Sequence, residues 1–90
     1  MNQTPDFLDG NAAAGDLSQL FGTDMTHVSG SCLGCGQRVV IAQAHAFLGG
    51  PGTVLRCPGC DTVLLRMVRS PERTWLETSG MGYLEFVNHP

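Results

Sequence analysis

Apolar positions change their spacing near residue 23. Before it, Leu17, Leu20 and Phe21 recur at intervals of three and four behind the alanine run Ala12 to Ala14, the spacing of a helix that buries one stripe. Asp9 or Asn11 supplies an N-cap, and Gly22 supplies the stop. The helical region falls within Asp6 to Gly22, with irregular ends. Gly10 and Gly15 weaken it enough that it must pack against the rest of the chain or against a partner. Met1 to Pro5 has nothing to bury and reads as mobile.

After Thr23 the chain turns to β-branched residues, glycines and cysteines. Runs with strand composition bounded by turn residues are Met25 to Gly30, Val39 to Phe47 with a break, Thr53 to Arg56, Thr62 to Arg69, Thr74 to Thr78 and Gly82 to Val87. Gly49-Gly50-Pro51-Gly52 must be a loop, and Ser70-Pro71-Glu72 and Ser79-Gly80 are turns. This makes the C-terminal third an antiparallel meander. Thr62 to Val68 is apolar on both faces apart from Arg66, as expected of an internal strand covered by the N-terminal helix. In the last strand Leu84 and Phe86 share one face, opposite Tyr83, Glu85 and Val87; Trp75 and Leu76 likewise point to opposite faces.

The predicted fold is mostly β with a short N-terminal helix (α+β), its antiparallel sheet being of the zinc-ribbon kind with two C-x2-C knuckles. Residues 1–22 form an N-terminal arm and short helix packing on the sheet. Residues 23–90 form the ribbon domain, and the whole is one folding unit of 90 residues.

A chain this short buries a modest fraction of its surface and often needs a staple. The cysteines provide one. Cys32-Leu33-Gly34-Cys35-Gly36 and Cys57-Pro58-Gly59-Cys60-Asp61 are two C-x2-C turns with 21 residues between them, and they use all four cysteines. Two residues between cysteines is the spacing with which a tight turn aims both sulfurs at one ion while backbone N–H groups point at the thiolates. Gly34, Gly36 and Gly59 are expected to supply the dihedral angles of these turns, and Pro58 pre-sets a corner. Cys32, Cys35, Cys57 and Cys60 are therefore the candidate ligands of one ion per chain. Zinc is expected and iron is the alternative. A full set of four thiolates leaves no open position for substrate, so the role expected is structural and not enzymatic.

Charge and composition narrow the function further. No stretch reaches the roughly 18 apolar residues of a membrane span. The first thirty residues hold Asp6, Asp9, Asp16 and Asp24 but no Lys or Arg, unlike the basic start of an export signal. A cytoplasmic location is expected, where paired cysteines more often bind metal or do redox chemistry than form disulfides. Five Arg and no Lys face eight Asp and Glu, a net charge of −3, and four thiolates with a divalent ion add two more negative charges. That balance argues against general nucleic-acid binding and leaves a nucleic-acid-binding ribbon as the least favoured of three readings.

The remaining chemistry-bearing residues are few. His27, His45 and His89 each stand alone and read as ordinary side chains rather than ligands or acid–base groups. Asp9-Gly10-Asn11 lacks the later acidic ligands of a calcium loop and reads as a cap. Arg56, Arg66, Arg69 and Arg73 with Trp75 are the only candidate binding patch, and the simpler reading is guanidinium groups that balance nearby acids.

With these residues in view, the chain resembles an uncharacterised family of small bacterial zinc-ribbon proteins. The likeness rests on Leu8-Asp9-Gly10-Asn11-Ala12 through Leu20-Phe21-Gly22, on Cys32 to Cys35, on Gly49-Gly50-Pro51-Gly52, on Arg56-Cys57-Pro58-Gly59-Cys60, on Arg69-Ser70-Pro71 and on Thr74-Trp75-Leu76. It implies the ribbon fold and the metal. It also implies a protein partner, with complexes of flavin or molybdenum oxidoreductases as candidates. The leading expectation is a non-enzymatic adaptor whose helix and exposed sheet face dock a protein. The rival is a rubredoxin-like electron carrier, since C-x2-C-G with C-P-x-C is common to both. Against the rubredoxin pattern, Asp61 stands where the second turn would carry Gly, few aromatic residues surround the site, and the gap between pairs is shorter.

Overall fold

The structure, a computed structural model, describes residues 7–48 and 52–88. The expectations for Met1 to Pro5, for Gly49 to Pro51 and for His89 lie outside the described residues. In chain order the elements are β1 (Leu8–Asp9), a 3-10 turn (Gly10–Ala13), α1 (Ala14–Phe21), β2 (Ser29–Cys32), β3 (Arg38–Val40), a second 3-10 turn (Ile41–Gln43), β4 (His45–Phe47), β5 (Gly52–Arg56), β6 (Val63–Arg69), β7 (Thr74–Glu77) and β8 (Met81–Glu85). The fold is mostly β and antiparallel, with one short N-terminal α-helix.

The strands form two sheets. One has the order β1-β4-β5-β6-β7 and the other β3-β2-β8. The core lies where they meet and is built from Leu17, Met25, Val28, Val39, Ile41, Leu55, Leu64, Leu65 and Met81 together with Cys32 and Cys57. Adjacent Leu64 and Leu65 are both buried although neighbours on a regular strand point to opposite faces. A bulge resolves this: Leu55 pairs with Leu65 but Arg56 pairs with Val63, so Leu64 is the extra residue on β6. The bulge turns Leu64 onto the core face beside Leu65, leaving Val63 and Val68 half-buried on the other face.

The N-terminal segment does more than form a helix. Leu8 and Asp9 add a strand to the larger sheet beside β4, and the Asp9 carboxylate then accepts from the Asn11 N–H at 3.0 Å, capping the first 3-10 turn. Gly22 ends α1 in the left-handed region at φ 74°. The helix is held by Leu17, which is fully buried, and by Phe21, which is half-buried. Leu20, expected in the same stripe, is 40% exposed. With eight residues, α1 turns only a narrow face to the core, and its polar residues take over the remaining attachment. Thr53, buried on β5, donates to the Asp16 carboxylate at 3.0 Å, and Arg69 reaches Asp16 and Gln19 at 3.4 and 2.7 Å.

Two further expectations are corrected. Met25 to Gly30 is not one strand: the Asp24 carboxylate accepts from both the N–H and the hydroxyl of Thr26, at 2.9 and 2.7 Å, closing a turn that delays the strand to Ser29. The C-terminal third is not a meander, because β8 leaves its neighbour β7 and pairs with β2 in the other sheet. The turn at Gly80 brings this about. A Cβ there would strike the Val63 carbonyl, so only glycine lets the chain pass so close beneath β6, and the Gly80 carbonyl accepts from the Leu33 N–H at 2.9 Å. A polar ladder then ties the three strands of the smaller sheet. Arg38 donates to Ser29 Oγ at 3.0 Å and to Glu85 at 3.1 Å, and Ser29 donates to Glu85 at 3.1 Å.

Replacing Leu17 with alanine is expected to cost about 2–5 kcal/mol of folding stability, and replacing Leu20 under about 1 kcal/mol. Denaturant titration of the metal-loaded chain measures both, and equal costs would return Leu20 to the core stripe.

Candidate metal centre

Each C-x2-C turn closes a β-hairpin, the first between β2 and β3 and the second between β5 and β6. The two hairpins belong to different sheets, so the site sits at their junction. Both turns use the same hydrogen bonds, 25 positions apart in the sequence. Cys32 donates to the Gln37 carbonyl at 2.8 Å and accepts from the Gly36 N–H at 2.7 Å; Cys57 donates to the Thr62 carbonyl and accepts from the Asp61 N–H, both at 2.9 Å. In each turn the first cysteine is buried and the second exposed.

The repetition extends to backbone angles. Gly36 has φ 78°, and its counterpart Asp61 has φ 67°, the only non-glycine residue with positive φ among the described residues. Asp is one of the few side chains that enter the left-handed region at modest cost, which is why this turn closes without glycine. Of the three glycines expected to supply special dihedrals, only Gly36 does so. Gly34 and Gly59 have a different role, since each lies beneath a side chain of the opposite turn. A Cβ on Gly34 would collide with the Thr62 hydroxyl and come within 3.0 Å of Thr62 Cβ and 3.2 Å of Cys60 Sγ; a Cβ on Gly59 would collide with the Gln37 amide oxygen.

The four sulfurs lie within 4.8 Å of one another. Across the two turns Cys32 Sγ is 3.6 Å from Cys60 Sγ, and Cys35 Sγ is 3.8 Å from Cys57 Sγ. A tetrahedral ion with metal–sulfur bonds of about 2.3 Å has sulfur–sulfur edges of about 3.8 Å. The arrangement is thus close to the dimensions that a tetrathiolate ion requires.

Donors surround the sulfurs. The Gly59 N–H approaches Cys57 Sγ at 3.4 Å, and the Thr62 hydroxyl lies 3.1 Å from Cys60 Sγ. The hydroxyl and the N–H of Thr62, with Cys32 and Cys35 as further donors, draw the Cys60 thiol down to about 6. At Cys35 the Gln37 N–H also pulls downward, but desolvation and the neighbouring thiols Cys60, Cys57 and Cys32 outweigh it and push the group up to about 12. Four sulfurs this close cannot all ionise by themselves, because each new negative charge opposes the next. A cation among them removes that conflict.

The other residues singled out by sequence take ordinary places. His45 stacks on Phe7 with ring centroids 3.7 Å apart, beside Phe47, and His27 is exposed on the Asp24 to Val28 turn. Neither belongs to the cysteine cluster. Arg56, Arg66 and Arg69 each meet a carboxylate, of Asp61, Glu77 and Asp16, at 3.8, 3.3 and 3.4 Å. The sequence patch is therefore largely a set of ion pairs. Arg56 in addition donates to the Asp61 carbonyl at 3.0 Å and stands over the Phe47 ring, bracing the second turn. Arg38, which the sequence did not single out, does the same for the smaller sheet. No local pattern marks it, because its partners Ser29 and Glu85 lie on the two neighbouring strands.

A family model described as "Family of unknown function (DUF6510)" matches residues 2–89, and the chain belongs to that family, as the sequence resemblance implied. No curated protein and no solved structure matches the chain. No helix among the described residues is long and apolar enough to cross a membrane.

The opposed knuckles generate a graded prediction. Gly34→Ala is expected to destabilise the metal-loaded chain more than Gly59→Ala, because Thr62 is branched at the point of collision whereas Gln37 can swing away. In a double-mutant cycle, Thr62→Ala should recover part of the Gly34→Ala cost. Strict additivity of the two would show that the Thr62 side chain is not what makes glycine necessary at position 34.

Proposed function

We propose that this member of the DUF6510 family holds one zinc ion on Cys32, Cys35, Cys57 and Cys60, and that the ion is structural. The observation that carries this reading is the convergence of four sulfurs from two separate sheets to within 4.8 Å of one another, with cross-turn distances of 3.6 and 3.8 Å. All four positions of the tetrahedron are protein sulfurs, so substrate or water has no site on the ion, and the chain is a non-enzymatic accessory module. It works in the cytoplasm, where the thiols stay reduced, and its partner is a protein. An oxidoreductase complex is the first candidate from the family resemblance. Nucleic acid is not the partner, since Arg56, Arg66 and Arg69 are engaged with carboxylates and the net charge is −3.

One observation favours a second reading, an iron-tetrathiolate electron carrier. Cys35 and Cys60 are exposed, and N–H groups point at Cys35, Cys57 and Cys60. Such donors tune an iron potential, and exposed sulfurs shorten the path to a redox partner. Zinc is preferred because Asp61 places a carboxylate at the rim of the second turn, held only by the exposed pair with Arg56.

Purified without metal supplementation, the protein is expected to be colourless, with about one zinc per chain for its single four-cysteine set. A red preparation with stoichiometric iron that bleaches on reduction would establish the electron carrier instead. Chelation, or Cys57→Ser, should abolish cooperative thermal unfolding, because structural zinc contributes on the order of 10 kcal/mol, comparable to the whole stability of a small domain. Near-wild-type melting of the variant would make the site incidental to the fold.

Short duplexes and single strands are expected to bind no tighter than about 10 µM at physiological salt, within the non-specific range. Titration by fluorescence anisotropy measures this. Submicromolar affinity with a steep salt slope would identify the arginines as a phosphate track.

A further inference from the structure

The larger sheet ends in an unprotected edge. β7 pairs with β6 and with no other described strand, and all four of its residues are exposed, with Trp75 56% and Leu76 36% accessible. Natural edges are usually blunted by a proline, a bulge, a lysine or a covering segment. β7 contains neither proline nor lysine, and its pairing with β6 runs without a register shift. A strand of this kind leaves its outer backbone groups open to pairing with another.

Its hydrogen-bonding parity limits what it can receive. The Ser70 N–H donates to the Arg73 carbonyl at 2.8 Å, so Arg73 turns its backbone groups toward β6. Alternation along an antiparallel ladder then directs those of Trp75 and Glu77 inward as well, and leaves those of Thr74 and Leu76 pointing outward. An incoming antiparallel strand must place its own outward-pointing residues opposite these two.

We propose that the occupant is a second copy of this chain, with the two β7 strands antiparallel about a twofold axis through Trp75. In this register Thr74 of each copy faces Leu76 of the other, and both residues offer free backbone groups, giving four hydrogen bonds. Trp75 faces Trp75 at a non-hydrogen-bonded position, where side chains approach most closely. Arg73 of each copy faces Glu77 of the other. Arg73 forms no ion pair among the described residues, and Glu77, paired with Arg66 at 3.3 Å, lies on the same sheet face as Trp75. Each Glu77 would thus sit between its own Arg66 and Arg73 of the second copy.

Charge selects this register over the others that parity allows. Centring on Leu76 sets Trp75 against Glu77 and Arg73 against Ser79; centring on Thr74 sets Arg73 against Trp75 and Glu72 against Leu76. Neither matches opposite charges. The preferred register joins two five-stranded sheets into one of ten strands, and the interface is isologous, as a twofold requires.

Sedimentation velocity on the metal-loaded full chain, from about 1 µM to about 1 mM, is expected to show a reversible monomer–dimer equilibrium. Emission of Trp75, the only tryptophan, should shift to the blue with the same midpoint. Arg73→Glu and Glu77→Arg each set like charges opposite one another and should raise the dimer Kd at least about tenfold. Mixing the two variants restores both opposite-charge pairs in a heterodimer, so the mixture should associate within about threefold of wild type. Circular dichroism and metal content of each variant check that the fold is intact. A chain monomeric throughout the range, a dimer indifferent to both substitutions, or a mixture that fails to reassociate would each overturn the proposal. So would a strand of a different protein found in place of the second copy.

Discussion

Four sulfurs held within 4.8 Å of one another are the constraint on which the remaining structure depends. Their ionised forms repel, and their neutral forms gain little from contact, so nothing in the cluster by itself favours bringing the two hairpins together. A shared cation reverses that balance. Because the hairpins belong to different sheets, the same point that gathers the sulfurs also fixes how the sheets meet. Cys32 and Cys57 belong to the same buried cluster as Val39, Ile41, Leu55 and Leu65, making the cysteines continuous with the apolar core. In a chain of 90 residues the core alone is small, which gives a central staple unusual weight.

The two knuckles are near copies, and their contact explains a requirement that neither shows alone. Gly34 makes room for Thr62, Gly59 makes room for Gln37, and Thr62 in turn reaches Cys60. Each turn is therefore shaped by a residue of the other as well as by its own backbone. The resemblance stops at Gly36 and Asp61, which share a left-handed conformation with different side chains. Asp61 is tolerated there with help from Arg56, which binds its carbonyl and lies 3.8 Å from its carboxylate.

Much of this was legible in the sequence because it is local. The cysteine spacing predicts which sulfurs converge, Gly22 ends the helix as expected, and the strands around Thr53 to Arg56 and Thr62 to Arg69 fall within a residue of their expected limits. What was not legible depends on distant partners. Alternation along β8 places Leu84 inward whichever strand lies beside it, so its pairing with β2 leaves no trace in the pattern. The role of Gly34 is invisible without Thr62 opposite it, and the exposure of Leu20 follows from how little of α1 the sheet covers. The side chain of Asp24 replaced a predicted strand with a turn by offering the Thr26 backbone a nearer partner than the sheet.

Charge is organised in the same manner. Arg38, Arg56, Arg66 and Arg69 each meet a carboxylate, and two of these pairs, Arg38 with Glu85 and Arg69 with Asp16, join elements far apart in sequence. Exposed pairs of this kind are worth only about 0–1 kcal/mol each, so they do not hold the fold against thermal motion. Their effect is on what the surface presents. A guanidinium already facing a carboxylate has little to offer a phosphate, and an excess of acid remains once the pairs are made. Arg56 is the exception in placement, since it adjoins Cys57 in sequence and braces the turn carrying Cys60. Around a divalent ion the four thiolates would carry two net negative charges, and the guanidinium at the rim would offset part of that field. The second knuckle thereby gains a cation to accompany its carboxylate, while the first, with Gly36 at the equivalent position, needs neither.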